Sequence, residues 1–133
     1  MNNKLRTIVI FSEERFRKEY RYLLGKVGQA RIEKEILNNQ DDLTHEVLED
    51  VAGIEPHVFI VDLPKERDKF FSILTQLHYQ FPSLPILAAG DCYDSAFLIE
   101  AMRLGVKEFL PKPLAVETID QAYQRLSRLV YEW

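Results

Sequence analysis

The side chains of this sequence that could do chemistry together are an aspartate, two glutamates and a lysine. Asp62 ends the apolar run "HVFIVD", Glu13 and Glu14 follow the apolar run "RTIVIF", and Lys112 stands between two prolines in "FLPKPL". A carboxylate at the end of a buried strand is costly unless it is paired, hydrogen-bonded or bound to a metal. Two carboxylates can hold Mg²⁺ weakly with several waters retained, and a lysine opposite them can stabilise negative charge, such as a phosphoryl group, added to one carboxylate.

Five short apolar runs alternate with helical patterns along the chain. The predicted strands cover 6–11, 30–37, 57–63, 85–90 and 106–110, and the predicted helices follow Ser12, cover 41–53, 65–81 and 94–105, and run on from Val116. The second run alternates apolar and charged residues, which is typical of a strand near an edge of a sheet. Ser12 is a candidate N-cap of the first helix, with Glu13 and Glu14 in its first turn. The apolar residues that recur at helical spacing and predict the buried face of this helix are Phe16, Tyr20, Leu23, Leu24 and Val27.

This alternation predicts an α/β fold with a doubly wound, parallel, five-stranded sheet and helices on both faces. Ligand sites of such folds lie at the carboxyl ends of the strands. The loops that meet there carry "SEE", "DLP", "GDCYD" and "PKP". The order of the elements therefore predicts that Lys112 lies beside Asp62.

Composition limits the classes of protein to which the chain can belong. Its 133 residues, 47% hydrophobic and 29% charged, predict a single soluble domain over 1–133, either alone or as the N-terminal part of a longer protein. A net charge of −4 argues against a nucleic-acid-binding domain. One cysteine, Cys92, excludes an internal disulfide, and we see neither a leader nor an apolar run that could cross a membrane. We therefore expect a cytoplasmic protein.

The chain resembles the receiver domain of two-component response regulators over nearly its whole length. The resemblance rests on the strand "VFIVD" that ends at Asp62 and on "AMRLGVKEFLPKPL" at 101–114. The second segment is also similar to the atypical receiver-like domain at the N-terminus of CpaE/TadZ-type pilus-assembly proteins. The resemblance implies the (βα)5 fold called flavodoxin-like or CheY-like.

The resemblance also implies roles for the candidate site residues. Asp62 corresponds to the aspartate that accepts a phosphoryl group from a histidine kinase or a phosphotransfer protein, and Lys112 to the lysine that contacts the phosphate. Mg²⁺ would be bound by Asp62 and Glu13, together with Ser12 or Glu14. Receivers usually carry two aspartates after the first strand, so Ser12 or Glu14 is a departure that should weaken Mg²⁺ binding.

Three further positions concern the response to phosphorylation. Phe109 aligns with the aromatic switch position, and the resemblance implies a cis peptide bond between Lys112 and Pro113. Gly90 stands where receivers have a threonine or serine whose hydroxyl binds the phosphoryl oxygen. Because Gly90 has no hydroxyl, we expect a weaker coupling between phosphorylation and the aromatic switch.

Three functional hypotheses follow. The first is a signalling receiver domain, not an enzyme beyond its own phosphorylation and dephosphorylation at Asp62, that relays the signal to an output domain or partner protein. A homodimer through the last two helices and the last strand is one form of that output, and we expect neither nucleic-acid binding nor membrane insertion. The second hypothesis is a degenerate receiver that serves as a phosphorylation-independent protein-interaction module. The third is a flavodoxin-like domain that binds a small ligand, although the hydroxyl- and glycine-rich phosphate loop needed for FMN is missing.

Overall fold

The computed structural model of the protein describes residues 4–38, 42–62, 66–91 and 94–131. Cys92 and the first residues of the helices predicted over 41–53 and 65–81 lie outside these ranges. Within them, no helix is both long enough and apolar enough to cross a lipid bilayer.

The sheet has the predicted architecture. Its strands are Leu5–Phe11 (β1), Ala30–Leu37 (β2), Val58–Asp62 (β3), Ile86–Gly90 (β4) and Val106–Pro111 (β5). All neighbours are parallel, and the order across the sheet is β2-β1-β3-β4-β5. β2 is an edge strand, as its alternating sequence indicates, and β3 with its terminal Asp62 lies at the centre.

Among the described residues, five α-helices connect and follow the strands. They are Arg17–Gly25 (α1), His45–Ile54 (α2), Arg67–Gln80 (α3), Ser95–Arg103 (α4) and Val116–Tyr131 (α5). Thr44 and Asp94 cap α2 and α4, because their side chains accept hydrogen bonds from the backbone N–H groups of Val47 and Phe97.

The first helix begins later than the sequence indicates. A 3₁₀ turn spans Glu14–Phe16, with the Phe16 N–H donating to the carbonyl of Glu13 at 3.1 Å, and α1 starts only at Arg17. The prediction that Ser12 caps the helix is therefore wrong. In a helix capped by Ser12 the Phe16 N–H would instead donate to the backbone carbonyl of Ser12.

Alternation along the central strands divides the core into two clusters. Val58 and Ile60 of β3 pack on the face covered by α1 and α5, whereas Phe59 and Val61 pack on the face covered by α2, α3 and α4. Because side chains alternate along a strand, Asp62 follows Val58 and Ile60 onto the α1 and α5 face. The two helices that flank Asp62 are therefore the first and the last of the chain.

Candidate functional site

Asp62 is the last residue of β3 and is buried. In the sheet it pairs with Ala89 of β4, and its side chain has no exposed area. A buried carboxylate needs compensation by charge or hydrogen bonds. Lys112 and Tyr20 supply both.

Lys112 reaches Asp62 from the connection between β5 and α5. Its Nζ atom lies 3.0 Å from Oδ1 and 2.9 Å from Oδ2 of Asp62, so the ammonium group contacts both carboxylate oxygens. The Lys112 backbone N–H donates to the carbonyl of Gly90 at 3.1 Å, which holds this connection at the end of β4. The peptide bond between Lys112 and Pro113 is cis. The Lys112 side chain is 21% exposed, so it forms the outer wall of the cluster.

Tyr20 approaches Asp62 from α1. Its side chain is fully buried, and its hydroxyl donates a hydrogen bond to Oδ2 of Asp62. Burial raises the pKa of the Tyr20 hydroxyl above its usual value, and the negative charge of Asp62 and the hydrogen bond to it raise this pKa further. Tyr20 therefore stays protonated and remains a hydrogen-bond donor to the carboxylate.

Phe16 is a further neighbour of the Lys112 ammonium group. The Lys112 Nζ atom is 4.0 Å from the centroid of the Phe16 ring, a distance typical of a cation–π contact. Phe16 is half-buried and packs against the cluster that contains Tyr20. The segment from the 3₁₀ turn into α1 thus contacts Lys112 through Phe16 and Asp62 through Tyr20.

The glutamates after β1 are engaged elsewhere. A carboxylate oxygen of Glu13, whose side chain is 41% exposed, lies 2.6 Å from Nε of Arg15. Glu14 accepts hydrogen bonds from Arg17, and these lower the pKa of its carboxyl. In the parts of the chain that the structure describes, no group of three or more His, Cys, Asp or Glu side chains could hold a metal ion.

The fit of the site to Mg²⁺ can be judged from these contacts. The Asp62 oxygens are bound by an ammonium group and a hydroxyl group. The Glu13 and Glu14 carboxylates are each paired with an arginine. As arranged, these residues and Ser12 do not form a magnesium site. Mg²⁺ binding stays a prediction.

Of the two switch positions, Gly90 lies in β4, next to β3, and Phe109 lies in β5, one strand further from Asp62. Gly90 ends β4 beside Pro111 of β5, and the described contacts there are made by its backbone carbonyl. Phe109 is half-buried and packs against the core cluster on the α2, α3 and α4 face, opposite Tyr20. The hydroxyl that contacts Asp62 belongs to Tyr20 of α1. It does not come from the end of β4, where receivers usually carry a threonine or serine.

Sequence reasoning identified the pair of Asp62 and Lys112 but assigned Tyr20 only to the buried face of the first helix. A signal for Tyr20 was present. A tyrosine hydroxyl in a core usually needs a hydrogen-bond partner, and Tyr20 lies on the helix that directly follows β1, the neighbour of β3.

Comparison with solved structures shows which proteins share this fold. A pilus assembly-related protein from Burkholderia pseudomallei aligns with a TM-score of 0.75 and 19% identity, over 96% of this chain and 92% of that one. The pilus assembly protein CpaE from Burkholderia thailandensis aligns with a TM-score of 0.73 and 19% identity, over 92% and 98%. The isolated receiver domain of RcsB from Salmonella enterica serovar Typhimurium was solved with the phosphomimetic BeF3⁻. It aligns with a TM-score of 0.74 and 19% identity, over 95% of this chain and 90% of that one.

These likenesses confirm the predicted α/β fold of receiver and CpaE-like domains. No protein-family model matches the sequence, and no curated protein matches it as a relative.

Proposed function

We propose that this domain is a receiver-type signalling module that acts through protein contacts and does not depend on phosphorylation of Asp62. The observation that carries the proposal is the closed state of the Asp62 carboxylate. Its side chain has no exposed area, Lys112 contacts both oxygens, and Tyr20 donates to Oδ2. A nucleophilic carboxylate must present an oxygen to the phosphorus atom of the donor, and here both oxygens are buried and already contacted.

Two further features support this reading. Gly90 provides no hydroxyl that could bind a phosphoryl oxygen, and the Glu13 carboxylate is paired with Arg15. By analogy with the pilus-assembly-related proteins that share the fold, the module would serve as a docking part of a larger assembly. In that role the ion pair of Asp62 and Lys112 is an internal link of the structure.

The second candidate function is phosphoryl transfer to Asp62 from a histidine kinase or a phosphotransfer protein, relayed to an output partner through α4, β5 and α5. The contact between Lys112 and Asp62 favours it, because an ammonium 2.9–3.0 Å from the oxygens could neutralise charge added there. Mg²⁺ would be held by Asp62 and Glu13, with Ser12 or Glu14. Glu13 would first have to leave Arg15, an exposed pair worth at most about 1 kcal/mol.

Acetyl phosphate separates the two candidates. The wild-type protein and the D62N variant are incubated with acetyl phosphate and MgCl₂ and are analysed by intact-mass spectrometry. We expect neither protein to gain the mass of a phosphoryl group. A gain in the wild type that is absent in D62N would overturn the proposal and support the second candidate.

A further inference from the structure

We propose that Tyr20 is the residue that closes the Asp62 site, because its hydroxyl occupies an oxygen that a reagent or cation would need. This inference rests on the proposed function and explains its physical basis. In this view Tyr20 of α1 controls the access of reagents to the Asp62 carboxylate at the end of β3.

The position of Tyr20 is fixed by packing. Tyr20 is the fourth residue of α1 and is fully buried, and Leu23 and Leu24 on the next turn are buried in the same cluster. The side chain therefore cannot swing into solvent without unpacking this face of the helix. Opening the site requires a local rearrangement of α1 and not a simple rotation of one surface side chain.

The hydrogen bond satisfies both of its partners. A buried hydroxyl and a buried carboxylate each lose free energy when they are left without a partner. Breaking the contact would leave Tyr20 without the acceptor described for it and Asp62 with Lys112 alone. Both the Tyr20 hydroxyl and the Asp62 carboxylate are therefore more stable in the closed arrangement than without this hydrogen bond.

The same segment covers the second partner of the carboxylate. Phe16, in the 3₁₀ turn before α1, places its ring 4.0 Å from Nζ of Lys112. Residues 14–20 thus contact Lys112 with Phe16 and Asp62 with Tyr20. Tyr20 is the inner of these two contacts and the one that touches the carboxylate itself.

Chemical labelling of carboxyl groups measures access to Asp62 without a metal or a phosphoryl donor. The protein is treated briefly with a water-soluble carbodiimide and glycinamide, and labelling is quantified by peptide mass spectrometry. Labelling at Asp62 is divided by labelling at the exposed Glu117, which corrects for reagent strength. Because Lys112 Nζ lies 2.9 Å from Asp62, an internal amide between these two side chains is counted as well.

Four variants are compared with the wild type. Y20L removes the hydroxyl and replaces the aromatic ring by a smaller branched alkyl group, and Y20F removes the hydroxyl alone. Y123L and Y123F are matched controls, because Tyr123 is also fully buried but bonds to Thr7 at 2.7 Å, away from Asp62. Circular dichroism selects the variants that fold, and Y20F tests the inference if Y20L does not.

We expect Y20L to raise the labelling ratio at least about tenfold, and Y20F about threefold, by populating locally open states. The Tyr123 variants should stay within about twofold of the wild type. Unchanged ratios in both Tyr20 variants, or equal rises in the Tyr123 variants, would overturn the inference. The proposed function is judged separately, by treating the wild type and D62N with acetyl phosphate, so either can fail without the other.

Discussion

The Tyr20 hydroxyl donates a hydrogen bond to Oδ2 of Asp62, an oxygen that also lies 2.9 Å from the Lys112 ammonium group. This contact joins α1 to the end of β3 and, through Lys112, to the connection between β5 and α5. The carboxylate at the centre of the sheet is therefore a structural junction of three elements, and its removal or exposure should affect stability as well as chemistry.

Replacing Tyr20 by phenylalanine should destabilise the protein more than the same change at Tyr123. Y20F deprives a buried carboxylate of a donor, and hydrogen bonds to charged groups contribute about 1.5–3 kcal/mol. Y123F removes a bond to the neutral Thr7 hydroxyl, which corresponds to about 0.5–1.5 kcal/mol. Urea unfolding at neutral pH measures both free energies of unfolding. Equal losses in the two variants would contradict a charged, fully buried Asp62.

Lys112 and Asp62 should be energetically coupled. K112M leaves the carboxylate with Tyr20 as its remaining partner, and we expect the free energy of unfolding to fall by up to about 3 kcal/mol, the low end of the range for buried pairs because Lys112 is partly exposed. D62N in the K112M background removes the uncompensated charge and should restore part of that loss.

A double-mutant cycle of K112M and D62N measures this coupling. We expect an interaction energy above about 1 kcal/mol, as found for residues in direct contact. Additivity of the two changes within about 0.5 kcal/mol would show that the ion pair contributes nothing to the fold.

Stability should depend on pH through His57. Its Nδ1 atom accepts a hydrogen bond from the Arg6 backbone N–H at 2.9 Å. Partial burial lowers the pKa of the His57 imidazole, and the nearby Arg6 charge lowers it further. The unfolded chain therefore takes up a proton at a higher pH than the folded one, so the free energy of unfolding falls as pH drops below about 6.5.

The H57N variant tests the origin of this dependence. Urea unfolding across the range from neutral to mildly acidic pH should give a smaller slope for H57N than for the wild type. The same slope in both proteins would assign the dependence to other groups.

The architecture of the sheet could be predicted because each strand carries a local signal. "VFIV" is apolar at every position and forms central β3, whereas "ARIEKEIL" alternates and forms edge strand β2. The start of α1 could not be predicted in this way. Ser12 is a residue type that often caps helices, but the hydrogen bond from the Phe16 N–H to the Glu13 carbonyl closes a 3₁₀ turn first. A 3₁₀ turn and a first α-helical turn differ little in local sequence preference.

The candidate site was predictable in part for a different reason. Strand order alone brings Lys112 to Asp62, because Asp62 ends β3 and Lys112 directly follows β5, and the carboxyl ends of the parallel strands lie on one side of the sheet. The contacts that a helix face makes depend on where the helix begins and on how it is rotated about its axis. Both differ from the prediction here, because α1 begins only at Arg17. Tyr20 was therefore assigned to the core, and Glu13 was expected beside Asp62, although it pairs with Arg15 at the surface.

Binding of beryllium fluoride with Mg²⁺ to the wild-type protein tests the central claim, that the Asp62 site is closed, most directly. Amide resonances are followed by NMR during titration, with D62N as the control for binding elsewhere. We expect no saturable shifts at Asp62, Gly90 or Lys112 at millimolar concentrations of both components. Saturable shifts at these residues in the wild type that disappear in D62N would contradict a closed site.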